Sequence, residues 1–193
     1  MKKNNFLILG CSPRKGGNSD YAAHRVMDLT LNKGLDPELL FLRDYKIMPC
    51  LGCHQCADAK NFSCVLDKHD QCRELLEIID QAEMACFCSP IYFYHVPAGF
   101  KALIDRGQSF YERWMQKGIT KKHKKALCVL VAGRKKGENL FKGSLLTMKY
   151  FLEPFDYDLS DLCLKGVDLK NDLKENLELQ AVLTDFCEKN IPH

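Results

Sequence analysis

Short apolar runs alternate with longer stretches of helical spacing along this chain, and that alternation limits the possible folds more than any other feature. Apolar runs of four to eight residues indicate buried β-strands. Their alternation with helices predicts a parallel sheet that is covered by helices on both faces. The predicted strands are Asn5–Cys11, Glu38–Leu42, Met84–Cys88, Ala126–Ala132 and Phe155–Leu162.

Two intervening stretches place apolar residues at positions i, i+3, i+4 and i+7, which is typical of amphipathic helices. One set is Cys72, Leu75, Leu76 and Ile79, and the other is Leu179, Val182, Leu183 and Phe186. Asp70 is predicted to cap the first helix. The length of 193 residues suits one domain, so we expect a single domain over residues 1–193 with a cysteine-rich loop at about 48–68.

Five parallel strands with right-handed crossovers favour the strand order 2-1-3-4-5. In that order, ligands bind outside the carboxyl ends of strands 1 and 3, where the winding direction reverses. Two loops are therefore expected to carry the function of the chain. One follows Cys11 and the other follows Cys88.

The loop after the first strand has the composition of a phosphate-binding turn. Ser12, Asn18 and Ser19 donate hydrogen bonds, Arg14 adds charge, and Gly16-Gly17 allows close approach of a ligand to the backbone before a helix. Neither a dinucleotide-binding G-x-G-x-x-G nor a P-loop motif is present. The alternative interpretation is a polar turn that only caps the helix.

Charge and hydropathy exclude several classes of partner. A net charge of +3 is too small to indicate binding to nucleic acid or to an acidic membrane surface, and no apolar run approaches the roughly 18 residues of a membrane span. The basic start, apolar Phe6–Leu9 and Cys11 superficially resemble a lipoprotein signal. That apolar run is shorter than the roughly 7–15 residues of a signal. We therefore expect a cytoplasmic protein.

Eleven cysteines in a chain expected to be cytoplasmic indicate metal or redox chemistry rather than disulfides. Cys50, Cys53, Cys56 and Cys64 have the spacing C-x2-C-x2-C-x7-C. Four thiolates suit a 4Fe-4S cluster or tetrahedral zinc, and free thiols are the third alternative. His54 is interpreted as a loop residue. Buried, apolar roles are predicted for the cysteines at Cys11, Cys72, Cys86, Cys88, Cys128 and Cys163.

Two motifs together carry a family resemblance. The segments Gly10–Ser19 and Ser89–Arg106 resemble the NADPH-dependent FMN reductase family, and especially its iron–sulfur flavoprotein branch, over roughly the first 110 residues. The resemblance implies a flavodoxin-like α/β sandwich that binds FMN, with the phosphate held at Ser12, Arg14, Gly17, Asn18 and Ser19. It also favours iron over zinc, although Asp67 and Asp70 are separated where the branch has adjacent aspartates.

The resemblance further implies that the loop after the third strand wraps the isoalloxazine ring. Its residues are Ser89, Pro90, Ile91, Tyr92, Phe93, Tyr94 and His95. Prolines stiffen this loop and its aromatic rings suit a flat ligand, although each ring could instead fill the core. A third contact is expected at Ala132-Gly133 from the topology. Lys101, Asp105 and Arg106 are interpreted as helix-surface residues in ion pairs.

The functional hypothesis is an FMN-dependent oxidoreductase that passes electrons from NAD(P)H or a protein donor to a small acceptor, and a homodimer or homotetramer is implied. Because the flavin itself accepts hydride, no catalytic residue is predicted. The alternatives are an electron carrier between proteins and a redox sensor that uses the cysteines. The basic stretches Lys117–Lys125 and Arg134–Lys136 are interpreted as solvated loops, or as sites for NADPH phosphates or an acidic partner.

Overall fold

A computed structural model describes residues 6–118 and 123–192. Its strands are β1 (Phe6–Gly10), β2 (Pro37–Phe41), β3 (Met84–Pro90), β4 (Lys124–Ala132) and β5 (Tyr157–Lys165). They form one parallel sheet in the order β2-β1-β3-β4-β5. The predicted fold class and strand order are confirmed.

Helices cover both faces of this sheet. Those in the described ranges are α1 (Asn18–Asn32), α2 (Gln55–Asp58), α3 (Cys72–Gln81), α4 (Ala98–Arg106), α5 (Gln108–Lys117), α6 (Lys142–Leu152), α7 (Asp172–Glu175) and α8 (Leu177–Asn190). Helices α1, α7 and α8 pack on one face, around Ile8, Val26 and Leu183. Helices α3 to α6 pack on the other, around Phe87 and Phe100. None of the described helices combines the length and apolar character needed to cross a bilayer.

The burial of the three central strands explains why the sheet could be predicted from the sequence. Strands β1, β3 and β4 are buried on both faces, so each appears as a nearly continuous apolar run. The observed bounds differ from the predicted ones by a few residues at most. Asn5, included in the first predicted strand, lies outside the described residues.

The last strand is displaced from its predicted position. Phe155 was expected to begin it, but Glu153–Phe155 form a 3₁₀ turn and β5 begins at Tyr157. Asp156 has a φ of 60°, in the left-handed region, which interrupts extended backbone. Phe155 is buried and apolar for a reason other than strand pairing, because its ring packs against Phe110 and Phe151.

Both predicted amphipathic helices are present, with two corrections. All four predicted core residues of α3 are buried, but its N-cap is Gln71 rather than Asp70, whose carboxylate accepts the Cys72 N–H at 3.2 Å. In α8, Val182 is 42% exposed. The buried stripe of that helix runs through Leu183 and Cys187, because the helix packs through a narrower face than its apolar pattern suggests.

Candidate functional site

The loop after β1 ends in a helix terminus suited to an anion. Gly16 has a φ of 69°, and extended Gly17 is the N-cap of α1. No side chain caps this helix. The first-turn N–H groups therefore lack a side-chain acceptor, and together with the helix dipole they favour a phosphate.

Three of the predicted phosphate-binding residues have defined positions in this loop. Ser12 is buried, and its hydroxyl accepts the Arg14 N–H at 3.1 Å. The exposed Arg14 guanidinium lies beside Gly17, where a Cβ would be 3.1 Å from Arg14 Nε. Ser19 is buried in the first turn of α1. The loop thus brings a hydroxyl, a guanidinium and free helix N–H groups to one place.

Asn18 makes a different set of contacts from the predicted one. Its Nδ2 donates to the Leu169 carbonyl at 2.7 Å, and its Oδ1 accepts the Leu173 N–H at 3.1 Å. The side chain therefore joins the start of α1 to the segment that follows β5. A direct role of this amide in holding phosphate stays a prediction.

An ion pair beneath the loop was missed by sequence reasoning. Asp20 accepts the Gly16 N–H at 2.7 Å and an Arg43 hydrogen bond at 2.9 Å. Arg43 also donates to the Ser12 carbonyl at 3.3 Å and lies 4.2 Å from the Phe41 ring centroid. Asp20 could have been recognised as an acidic residue in the first helical turn. No sequence signal points to Arg43, which comes from the segment after β2.

The second predicted loop lies beside the first at the carboxyl edge of the sheet. Gly10 pairs with Cys88 between β1 and β3, and the Cys11 N–H donates to the Cys88 carbonyl at 2.8 Å. A cavity of about 140 Å³ lies next to the first loop, with Ser12, Pro13 and Arg43 on one side and Pro97 and Gly99, at the start of α4, on the other. Typical ligand pockets span about 300–1,000 Å³, so a nucleotide bound here must extend beyond this cavity.

A two-residue hairpin forms the tip of the second loop. Tyr92 and His95 exchange two backbone hydrogen bonds of 2.8 and 3.0 Å, while Phe93 and Tyr94 have φ values of 48° and 63°. This left-handed conformation is costly for residues other than glycine, and such strain often accompanies functional sites. Phe93 is fully exposed, and Tyr92 and Tyr94 are also exposed.

Neighbouring elements hold the hairpin in place. Arg134 Nη1 donates to the Tyr94 hydroxyl at 2.9 Å, and His95 Nε2 lies 3.0 Å from the Thr147 hydroxyl on α6. At the base, Ser89 is buried and the Ile91 N–H donates to the Val131 carbonyl at 2.8 Å. The aromatic rings Tyr92 to Tyr94 therefore face outward from an anchored turn rather than fill the core.

The predicted third contact lies at the end of β4. Ala132 is buried, and its carbonyl accepts the Val167 N–H at 3.0 Å. Gly133 packs against Asp168, since a Cβ there would be 2.6 Å from Asp168 Oδ1. Glycine permits this close approach of the two loops. The basic cluster that follows is exposed, and its Arg134 borders the hairpin.

The other basic stretch falls partly outside the described residues, at positions 119–122. Lys117 lies 4.9 Å from the Phe62 ring centroid. The expectation of a solvated loop is wrong for Lys124, which is buried in β4 and donates to the Asp80 carbonyl at 3.0 Å.

The four cysteines with metal-ligand spacing occupy an irregular segment around α2. Cys50 and Cys53 are exposed, and Cys56 and Cys64 are half-buried. The Gly52 N–H donates to Cys50 Sγ at 3.4 Å, and His54 adopts a left-handed φ of 57°. Burial raises the pKa of the Cys56 thiol, and the nearby Cys64 thiol adds to the rise.

The donor chemistry of this segment fits a thiolate-bound metal or cluster, but its geometry is not preorganised. Within the described ranges, no three His, Cys, Asp or Glu side chains are arranged to hold a metal ion. The segment must therefore close further around any metal that it binds. Metal binding by Cys50, Cys53, Cys56 and Cys64 stays a prediction.

The six cysteines with predicted buried roles follow the prediction with one exception. Cys11, Cys72, Cys86, Cys88 and Cys128 are buried. Burial raises the pKa of Cys72 to about 12, which makes its thiol unreactive at neutral pH. Cys163 is only half-buried because it lies on edge strand β5, where its Sγ is 3.7 Å from Asp161.

Arg106 requires a further correction. It was expected on the helix surface, but its side chain is 1% exposed and pairs with Asp67 and Asp70 at 3.1 and 2.6 Å. The ion-pair expectation is thus right in kind, whereas the location is wrong. Lys101 and Asp105 do form the expected exposed pair on α4.

Comparison with known proteins identifies relatives of this chain by sequence. The sequence model of the NADPH-dependent FMN reductase family matches residues 4–148. An iron–sulfur flavoprotein of Methanosarcina thermophila is 29% identical over 126 residues, covering 65% of this chain and 62% of the relative. One from Archaeoglobus fulgidus is 33% identical over 111 residues, covering 58% and 48%. The chain thus spans about half to three-fifths of these relatives.

Solved structures with the same fold are more distant in sequence. An FMN-dependent NADH-azoreductase from Bacillus anthracis, in complex with FMN, superposes with a TM-score of 0.68 at 11% identity, covering 98% of this chain and 100% of the other. An NAD(P)H:quinone oxidoreductase from Methanothermobacter marburgensis gives 0.66 at 15% identity, covering 97% and 96%. At this level of identity the likeness concerns the fold.

Proposed function

The chain belongs to the NADPH-dependent FMN reductase family, and from this premise we propose that it binds FMN and transfers electrons from NAD(P)H to an acceptor. One observation carries the proposal: the uncapped start of α1 and the exposed aromatic hairpin lie at the same edge of the sheet. A nucleotide whose phosphate meets the first loop has its ring within reach of the second.

The phosphate is proposed to bind at the β1–α1 loop. The N–H groups of the first turn of α1 and the Arg14 guanidinium are its donors, with the helix dipole in support. The Ser12 hydroxyl, which donates to the Arg14 carbonyl at 3.1 Å, would turn to the phosphate as a further donor. The half-buried Arg43 neutralises Asp20 below the loop, so that the carboxylate does not repel the phosphate. The Asn18 side chain supports the loop from behind through Leu169 and Leu173.

The ring is proposed to lie against the segment Ser89–His95, with Ala132-Gly133 at its far side. Bound FMN would supply the hydride-accepting centre. The protein positions it: Pro90 and the Tyr92–His95 hydrogen bonds fix the loop, while Arg134 and Thr147 orient Tyr94 and His95. In this proposal no side chain acts as a catalytic acid or nucleophile.

Comparison of FMN with riboflavin tests this site, because riboflavin lacks the phosphate. Each charge-assisted hydrogen bond is worth about 1.5–3 kcal/mol. Loss of the phosphate should therefore weaken binding to the apoprotein by about a hundredfold or more in a fluorescence titration. If neither flavin binds, or if both bind equally, the proposed site is wrong.

A second component is proposed at the cysteine segment. Cys50, Cys53, Cys56 and Cys64 would bind a 4Fe-4S cluster, which would supply one-electron chemistry beside the flavin. The spacing of the four cysteines and similarity to proteins named iron–sulfur flavoproteins support this component. An anaerobic preparation assayed for flavin, iron, acid-labile sulfide and zinc tests it. One FMN and four irons per chain are expected, and zinc alone would contradict it.

The direction of electron flow separates the reductase from its alternatives. Rapid anaerobic oxidation of NADH or NADPH with a quinone acceptor supports the enzyme. Reduction of the flavin by ferredoxin alone would favour an electron carrier between proteins. Unchanged NAD(P)H turnover in Cys53→Ala, with loss of an oxidant response, would favour a redox sensor.

We also propose that residues 1–193 act as one domain and assemble as a homodimer or homotetramer. Both layers of helices pack on the same sheet, which supports a single domain. The fully exposed Phe93 leaves an apolar ring at the flavin edge that a second copy would cover. Sedimentation of wild type and Phe93→Ser tests the assembly, since a weakened oligomer is expected for the variant.

A further inference from the structure

The cysteine segment leaves and rejoins the fold at a single point. The Met48 N–H donates to Asp70 Oδ2 at 2.8 Å, and the Gln71 N–H donates to the Lys46 carbonyl at 2.9 Å. All four spaced cysteines lie between Met48 and Asp70. We call the paired ends at Lys46–Met48 and Asp67–Gln71 the neck of the cysteine segment.

Arg106, the last residue of α4, contacts both sides of this neck. Its Nη1 donates to Asp70 at 2.6 Å and to the Met48 carbonyl at 3.2 Å. Its Nη2 donates to Asp67 at 3.1 Å and to the second oxygen of Asp70 at 3.3 Å. A planar guanidinium can make these bonds together, whereas a lysine ammonium cannot.

The ion pair between Arg106 and Asp70 in the neck is buried, and its two charges compensate each other. The side chains of Arg106 and Asp70 are 1% and 0% exposed. Burial alone would raise the pKa of Asp70, but hydrogen bonds from Arg106 and from the Met48 and Cys72 N–H groups outweigh burial and lower this pKa. Both ionised partners are therefore retained in the folded chain.

The guanidinium is also linked to the last spaced cysteine. Burial alone would lower the pKa of Arg106, but the hydrogen bond to Asp70 outweighs burial and raises this pKa, so the positive charge is kept. Asp67 links the two groups, since its second oxygen accepts the Cys64 N–H at 2.8 Å. Arg106 Nε is buried and has no hydrogen-bond partner among residues 6–118 and 123–192. An unpartnered donor and a fixed positive charge thus remain in the neck, and a single carboxylate joins that charge to the backbone of the last of the four cysteines.

We propose that Arg106 is a positioning residue for the cysteine segment: it holds the neck closed and, through Asp67, fixes the backbone at Cys64, so that loading of the four thiols depends on it. This inference rests on the proposed cluster at those thiols. The role assigned to Arg106 is separate from the flavin loops. Substitution of Arg106 should therefore change metal loading and opening of the cysteine segment while FMN binding is retained.

Anaerobic reconstitution of the full chain with ferrous iron and sulfide tests the proposal. Arg106→Gln should retain at least tenfold less iron and sulfide than wild type, with the same FMN content. Arg106→Lys should fall between them, because it keeps the charge but reaches fewer acceptors. Lys101→Gln removes one positive charge from the exposed face of the same helix and should match wild type.

A second readout does not need the cluster. In the FMN-loaded, metal-free chain, limited proteolysis between Met48 and Asp70 should be about tenfold faster in Arg106→Gln than in Lys101→Gln. The double variant Arg106→Met/Asp70→Leu replaces the most buried pair by apolar groups, which avoids an isolated charge at either position and should preserve folding, since Asp67 is 18% exposed and keeps contact with water. It should show the same fast cleavage and poor iron loading.

The outcomes separate the two proposals. Faster cleavage in Arg106→Gln, in a chain whose wild type takes up no iron, contradicts the proposed cluster and supports the closed neck. Iron loading and cleavage equal to wild type in Arg106→Gln or in the double variant overturns the role of Arg106. Parallel loss of FMN and iron in the folded double variant also overturns it, because the effect would not be specific to the segment.

Discussion

Arg43 donates a hydrogen bond to Asp20 across 2.9 Å and thereby joins the segment after β2 to the first turn of α1. Asp20 in turn accepts the Gly16 N–H, so the conformation of the proposed phosphate loop depends on a residue from the segment after the neighbouring strand β2. The side chains of Asp20 and Arg43 are 5% and 15% exposed. Removal of either charge leaves the other poorly solvated.

Substitution of Arg43 should weaken FMN binding. Arg43→Met leaves the Asp20 carboxylate unneutralised below the bound phosphate, so we expect about a tenfold rise in the Kd for FMN, equivalent to about 1.4 kcal/mol. Fluorescence titration measures this change. Arg25→Met, which removes an equal charge from a more exposed ion pair on α1, is the control. Equal affinities in the two variants would contradict the role of Arg43.

Gly10 should not tolerate a side chain. A Cβ at this position would lie 2.6 Å from Cδ1 of Phe41, whose ring is held under Arg43. Gly10→Ala is expected to lower the free energy of unfolding by about 1–3 kcal/mol, as overpacking does elsewhere. Gly99→Ala is the control, since nothing lies within 4 Å of its Cβ and alanine favours the helix. Urea denaturation of both variants decides the matter.

Phe93 in the hairpin should lower the stability of the apoprotein and raise its affinity for FMN. Phe93→Gly relieves a left-handed conformation that costs about 1–2 kcal/mol in other residues, so the apoprotein should become more stable by up to about 1 kcal/mol. Its FMN affinity should fall because an aromatic surface is lost. His123→Gly relieves similar strain far from the hairpin and should leave FMN binding unchanged. A Phe93→Gly chain that binds FMN as tightly as wild type would remove Phe93 from the site.

The loss of folding stability at acid pH should depend in part on the Asp70 carboxyl. Its folded-state pKa lies below the ordinary value of about 3.9, so its contribution is present at neutral pH and is lost as the pH falls below about 4. Asp70→Asn should therefore be less stable than wild type at pH 7, and the difference should shrink towards pH 2. Denaturation at several pH values measures it. A difference that is constant with pH would exclude linkage through this carboxyl.

Thiol reactivity should divide the cysteines into two groups. With a pKa of about 12, the Cys72 thiolate at pH 8 is more than about a thousandfold scarcer than that of an ordinary thiol with a pKa near 8.5. Alkylation of the metal-free chain should modify the exposed Cys50 and Cys53 first, and Cys72 only after unfolding. Mass spectrometry of quenched samples identifies the order. Early modification of Cys72 would indicate an open neck.

Sequence reasoning succeeded where the physical cause is local. Apolar runs such as those of β1 and β3 reflect burial on both faces, and parallel topology alone brings the loop after Cys11 to the loop after Cys88. It failed where the cause is a distant partner. The Asn18 amide bonds to Leu169 and Leu173, about 150 residues away, and neither is distinctive in sequence.

The dependence on distant partners also explains why the location of Arg106 was predicted wrongly. Arg106 directly follows Asp105, which is spaced i,i+4 from Lys101, and that spacing is typical of exposed ion pairs. Its burial depends on pairing with Asp67 and Asp70, which lie at the end of the cysteine segment, 39 and 36 residues before Arg106 in sequence. Periodicity describes one helix and carries no information about which carboxylates will cover its end.

Helix α4 begins three residues after the hairpin residue His95 and ends at Arg106, so a single rigid rod joins the aromatic tip to the neck. Nine residues at 1.5 Å each set an axial separation of about 13 Å between its ends. Deletion of one residue would shorten this rod by about 1.5 Å and rotate its end by about 100°. A change of one whole turn would restore the orientation of the end but alter the separation by about 5.4 Å, so α4 fixes both the distance and the direction from the aromatic tip to the neck.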